Sequence, residues 1–155
     1  MFITTHALIG ALIAEQVPNT PIWAFVLGLI SHFITDIIPH GDSSLYKGYV
    51  SGSKVKRAIA YVTFDGLIAL LGVLALFNTK FVDHRAAISL GILGGVLPDF
   101  LVALCELFRI KQLRWFYKLH FFFHNLIISK KGDIPLGVGM TLQIAVLIVT
   151  VLRAF

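Results

Sequence analysis

Six apolar runs, at 2–14, 22–39, 58–77, 86–108, 115–129 and 135–152, take up most of this 155-residue chain. Runs of that length, rich in Leu, Ile, Val, Ala and Phe, demand helices, because a backbone exposed to lipid must satisfy its own hydrogen bonds. Composition agrees: 57% of the residues are apolar and 14% charged, against roughly 45–50% and about 25% in soluble domains. That balance excludes a disordered chain, a nucleic-acid-binding domain and most soluble enzymes. The sequence therefore predicts an all-α fold, a polytopic integral membrane helical bundle of about five to six helices, in a single transmembrane domain over 1–155. The first and fifth runs are short for a full crossing at roughly 20 residues. They read as tilted, half-inserted or broken segments.

Thirteen Lys and Arg against eight Asp and Glu give a net charge of +5. The basic residues cluster between the apolar runs, so they read as topology rather than as a nucleic-acid surface. Segment 41–57 carries Lys47, Lys54, Lys56 and Arg57, and segment 109–118 carries Arg109, Lys111, Arg114 and Lys118. Segment 16–21 carries none, and 78–85 carries Lys80 and Arg85. Segments 41–57 and 109–118 are therefore expected in the cytoplasm, with the N-terminus there too if the first run crosses. Lys130 and Lys131 weigh mildly against a complete sixth crossing. The single cysteine, Cys105, excludes an internal disulfide and a multi-thiolate metal site. With no basic segment ahead of the first run and no Ala-x-Ala site after it, no cleaved signal peptide is expected.

Eight ionisable residues stand where lipid-facing helices do not tolerate them. His6, His32, Asp36, Asp65, Asp99, His120 and His124 lie inside apolar runs, and His40 closes one. An unpaired Asp at the bilayer centre costs roughly 2.5–3.5 kcal/mol even on the lenient insertion scale. Apart from Lys118, no Lys or Arg lies inside these runs to neutralise them. Helical rise places Asp65 roughly 12 Å from the depth of Arg57 and Asp99 roughly 15 Å from that of Arg109. All eight thus fall in one half of the membrane, toward the cytoplasmic face. One layer points to one site.

Spacing supports a metal. His32 and Asp36, and His120 and His124, are i, i+4 pairs, each projecting from one helix face about 40° apart. Two such pairs can close around one or two divalent ions. Imidazole and carboxylate without thiolate suit Zn, with Mn or Fe as alternatives. Pro39 should end the second helix near His40, and Pro98 should break or kink the fourth beside Asp99. His84, Asp42, Asp83 and Asp133 read as solvated loop residues, and Glu106 with Arg109 as an interfacial pair. Trp115, Phe116, Tyr117, Phe121, Phe122 and Phe123 read as an interfacial belt and packing surface.

Four motifs carry a resemblance. They are Thr5-His6-Ala7 opening the first helix, Ser31-His32-Phe33-x-x-Asp36-x-x-Pro39-His40, Leu97-Pro98-Asp99, and the late pair His120 and His124. In their order the chain resembles the bacterial inner-membrane proteins described as membrane-bound metal-dependent hydrolases. That family is distantly similar to the all-helical zinc-dependent phospholipase C and S1/P1 nuclease group. The resemblance implies an inner-membrane location and a hydrolase. It departs from the family at Leu101, where a second acid is usual, and at His120-Phe-Phe-Phe-His124-Asn125, where the family has His-Arg-Gly-x-Thr-His-Ser.

The resulting expectation is a membrane-embedded Zn-type hydrolase of a lipid ester or phosphoester. His6, His32, Asp36, His40, Asp65, Asp99, His120 and His124 are its candidate metal ligands, and Asp36 or Asp99 the bridging ligand or general base. Arg114 and Lys118 could attract an anionic headgroup. Its partners are membrane lipids and a lipid substrate, with no nucleic acid. Two rivals use the same residues: a proton or metal-ion relay, and a non-catalytic membrane protein with a structural metal site. An enzyme needs an open coordination position beside a cavity, a relay a continuous polar path, and a structural site closure by protein ligands.

Overall fold

The computed structural model describes residues 2–78 and 84–154, with the side chains of 150, 151, 153 and 154 left aside. The chain is all-α, and no strand occurs among the described residues. The helices are α1 (Ile3–Gln16), α2 (Pro21–Asp36), α3 (Ser43–Val50), α4 (Val55–Phe77), α5 (Arg85–Phe108), α6 (Arg114–Lys131) and α7 (Leu136–Ala154). A short 3-10 turn, Lys111–Leu113, precedes α6. Each apolar run became one helix. The addition is α3, inside a segment read as loop. Lys80 and Asp83 lie outside the described residues, and so does the side chain of Arg153.

Helix α1 is the central element, packed on α2, α4, α5 and α7, while α2 and α5 form the closest pair. Small residues make that closeness possible. A Cβ on Gly10 would lie 2.3 Å from the Gly91 carbonyl oxygen, and one on Gly95 would lie 2.4 Å from that of His6. The backbones therefore touch where α1 crosses α5, which brings His6 level with Asp99.

Two expectations about prolines resolve differently. Pro21 starts α2 at a first-turn position, where its missing N–H costs nothing. Helix α2 ends at Asp36, three residues before Pro39, as the steric preference of residues ahead of proline favours. Pro98, in contrast, does not break α5, which continues from Arg85 to Phe108. It is fully buried against neighbouring helices, whose packing sustains the helix through the lost hydrogen bond.

Polarity is distributed inside out. Thr4, Thr5, His6, His32, Asp36, His40, Asp65, His120 and His124 are buried, whereas Ile59, Val62, Phe64, Leu67, Leu70, Leu71 and Leu74 line the exposed face of α4. Helices α4 and α5 are long and apolar enough to cross a membrane, and α2 and the stretch Leu136–Val149 are apolar but shorter. The conventional apolar core is small. Leu8, Ala11, Ala14, Ala24, Leu76, Ala87 and Ile88 fill the end of the bundle away from the polar cluster.

Candidate metal centre

Seven of the eight predicted ligands meet. His6 comes from α1, His32 and Asp36 from the last two turns of α2, and Asp99 from α5. His120 and His124 come from α6, and His40 from the turn after α2. Their donor atoms form three overlapping groups, each within 4.8 Å: His6, His32 and Asp36; His32, Asp99 and His120; and Asp36, His40 and His124. His32 and Asp36 each belong to two of them, so these neighbours on α2 link the three groups.

The separations fit shared cations. Asp36 Oδ1 lies 3.6 Å from His6 Nε2 and 3.9 Å from His40 Nε2, and Asp36 Oδ2 lies 3.5 Å from His120 Nε2. Asp99 Oδ1 lies 3.7 Å from His32 Nε2 and 3.8 Å from His120 Nε2. Two donors on one tetrahedral zinc, each about 2.0–2.1 Å from it, sit about 3.3 Å apart. The observed spacings are slightly wider, too long for hydrogen bonds and short enough to close on an ion.

The outer ring nitrogens fix which atoms face inward. His32 Nδ1 lies 2.7 Å from the Gly95 carbonyl and His40 Nδ1 lies 2.8 Å from that of Ile38. A carbonyl only accepts, so both Nδ1 atoms carry the proton and both Nε2 atoms present a lone pair. The Thr35 hydroxyl already donates to the Ser31 carbonyl at 2.8 Å, so it accepts from His6 Nδ1 at 3.3 Å. His6 and His40 therefore point bare Nε2 atoms at the Asp36 carboxylate, and His32 Nε2 lies 3.4 Å from His120 Nδ1 and 3.7 Å from Asp99 Oδ1. Metal-ligating histidines are held in this way by their second ring nitrogen. Buried Nε2 of His6 and of His40 have no hydrogen-bond partner among the described residues, a cost of about 1–3 kcal/mol for each such group. A divalent cation would answer both, so the donor set fits one.

Asp65 is the exception. Its Oδ1 accepts hydrogen bonds from the Thr4 hydroxyl at 2.7 Å and from the Gln143 amide at 2.8 Å, and its Oδ2 accepts from the Thr4 backbone N–H at 3.4 Å. The carboxylate thus caps the N-terminus of α1, whose own N-cap, Phe2, has no side chain able to do so. It joins none of the three donor groups.

Asp42, read as a solvated loop residue, also joins none of the three donor groups but faces two of their histidines. Its Oδ1 lies 3.2 Å from His40 Nε2 and 3.3 Å from His124 Nε2. Gly41, at φ +85°, folds the chain back so that Asp42 returns beneath His40. A side chain at Gly41 would also sit 2.7 Å from the Leu136 backbone. A glycine directly after Pro39-His40 was the available signal for this turn.

Beside the cluster lies a cavity of about 500 Å³. Its wall includes Asp36, Asp99, His120 and His124 and continues over Ile59, Val62, Val96, Phe100, Val102 and Leu107 of α4 and α5. Leu45, Tyr46 and Tyr49 of α3 roof it. The Tyr46 hydroxyl donates to Glu106 Oε1 at 2.6 Å and accepts from the Tyr117 hydroxyl. Glu106 is thus engaged by Tyr46, and no ion pair with Arg109 forms among the described residues. The predicted aromatic belt splits likewise: Trp115 and Phe122 face outward, Phe121 lines the cavity, and Phe116 and Phe123 pack on Phe33. Neither Arg114 nor Lys118 lines the cavity. His84 is exposed, as expected of a loop residue.

Set against known proteins, the chain matches no family model, no curated protein and no solved structure.

Proposed function

We propose that this chain is a membrane-embedded, metal-dependent hydrolase of a lipid ester or phosphoester. One observation carries the reading: the buried His/Asp cluster opens onto an apolar cavity that Asp99 and His120 line directly. A structural site would be closed by protein ligands with no space beside it. A relay would need polar groups through the rest of the bundle, and that end is filled by Leu8, Ala11, Leu76 and Ile88. Apolar walls ending at a polar centre suit an acyl chain with its ester or phosphate at the cluster.

The outward-facing Leu, Ile and Phe side chains of α4 and the length of α4 and α5 support a bilayer setting. The Lys and Arg of segments 41–57 and 109–118 favour the inner membrane's cytoplasmic face for the site. A divalent ion held there, Zn by donor type, would lower the pKa of a bound water toward about 7 and polarise the phosphoryl or acyl oxygen. The protein's share is division of labour. Asp36, fully buried and shared by two of the donor groups, holds them in register. Asp99, partly open to the cavity, would serve as the general base for a water there. His6, His32, His40, His120 and His124 fix the geometry.

The test is elemental mass spectrometry on detergent-purified protein, wild type beside a His32→Ala, Asp36→Ala double variant. Near-stoichiometric Zn or Mn in the wild type, lost in the variant, is expected, together with lipid ester or phosphoester cleavage in mixed micelles. A folded wild type that takes up no metal during supplemented growth would overturn the reading.

A further inference from the structure

The turn that carries His40 and Asp42 is not held by the helices that carry the other donors. It is held by one carboxylate from the far end of the chain. Asp133, between α6 and α7, accepts from the Gly41 N–H at 2.9 Å through Oδ1 and from the Ser43 N–H at 3.0 Å through Oδ2. Its Oδ1 also accepts from the Ile134 N–H at 2.9 Å, which fixes the carboxylate to its own connection. The two inter-segment bonds bracket Asp42. Gly139 of α7 completes the grip, since a Cβ there would lie 1.8 Å from the His40 carbonyl oxygen.

We infer that Asp133 is the positioning residue for His40, a member of the donor group of Asp36, His40 and His124, and for Asp42 beside it, acting through the backbone of the His40–Ser43 turn without touching an ion itself. The inference rests on reading the cluster as a metal centre. Asp36 and His124 sit on helices, whereas His40 and Asp42 sit on a turn outside them, where the Asp133 bonds add to the His40 Nδ1–Ile38 carbonyl contact and the Gly139 packing. The other donors, His6, His32, Asp99 and His120, belong to helices α1, α2, α5 and α6, and the small apolar core lies at the opposite end of the bundle. Loss of Asp133 therefore loosens His40 and Asp42 and spares the donors carried by the helices. Outer groups that orient ligands are worth roughly 10–100-fold in metal affinity.

The experiment compares wild type, Asp133→Ala and Asp133→Asn, each full length in detergent and as purified. Two readouts are taken: bound metal after Zn loading, and the ring-nitrogen NMR signals of the histidines. For Asp133→Ala the signals of His40, and of His124 facing Asp42, are expected to move while that of His6 stays, with Zn bound roughly 10–100-fold more weakly. Asp133→Asn keeps the shape and one acceptor oxygen, so it should fold and lie between the two. If Asp133→Ala does not fold, Asp133→Asn decides alone. Unchanged signals with full loading in the variants would overturn the positioning role and leave the metal reading standing. Signals moved in the variants, beside a wild type that loads no Zn, would keep the positioning role and overturn the metal reading.

Discussion

His32 reaches 63 residues along the chain to place its Nδ1 2.7 Å from the carbonyl oxygen of Gly95. This contact adds to the close packing of α2 on α5, sets the tautomer of His32 and leaves its Nε2 3.7 Å from Asp99 Oδ1. Gly95 is also the point where α5 touches the His6 backbone. A side chain there would push α1 away from α5 and pull His6 out of reach. Gly95→Ala should cost about 1–3 kcal/mol of stability, as overpacking in a close-packed interior does. It should also weaken metal binding by roughly 10–100-fold, because the residues that orient the ligands are displaced. Thermal unfolding and metal titration on the same preparation check both. Retention of wild-type metal affinity would show that the α1–α5 contact does not organise the centre.

Asp65 provides the contrasting case. Its carboxylate serves Thr4 and Gln143, so removing it should harm the helix start and spare the metal. Asp65→Ala is expected to lower stability by about 0.5–2 kcal/mol, the range for lost N-terminal caps, with bound metal unchanged. Chemical denaturation alongside elemental analysis separates these effects. Metal lost in proportion to that seen for Asp36→Ala would make Asp65 a ligand after all.

The legibility of this chain in its sequence divides along one physical line. Helices were readable because apolar run length demands them, and the cluster was readable because charge has no cheap place inside an apolar run. His6, His32, Asp36, His40, Asp99, His120 and His124 share that signature. Asp65 shares it too and still belongs elsewhere, because depth fixes a layer but not the azimuth around a helix axis. Asp42 and Asp133 were unreadable for the opposite reason. In polar connections an acid is ordinary, and only the fold brings residues 42 and 133 together. Pro98 marks a third limit: whether a proline breaks a helix depends on neighbours that the local sequence does not name.

The same Asp133 yields a pH dependence with a definite sign. Burial pushes its pKa up, but hydrogen bonds from Ser43, Gly41 and Ile134 outweigh that and hold it below 3.8. A carboxyl whose pKa is lower folded than unfolded binds its proton more readily in the unfolded chain. Its contribution is therefore fully present above the unfolded value and fades as the pH falls through the folded one. The stability difference between wild type and Asp133→Asn should be flat above about pH 5 and shrink on approach to about pH 3. Denaturation midpoints across that range test the point. A difference that grows on acidification would reverse the sign and rule out the hydrogen-bonded carboxylate.

Cavity and centre can be separated experimentally, and that separation bears most directly on function. Ala103 lines the cavity on α5, one turn beyond Asp99, and touches none of the donor groups. Replacing it with Phe fills space that an acyl chain would occupy without altering any candidate ligand. Hydrolysis of a long-chain lipid ester should fall on the order of 10²-fold, the scale on which displaced substrates lose rate. Metal content should not change, and a short, water-soluble ester that needs no cavity should be cleaved as by the wild type. Equal losses on both substrates with metal retained would place the reacting ester outside the α4–α5 cavity. Unchanged long-chain cleavage would mean that the apolar space does not hold the chain, and the lipid assignment would fall with it.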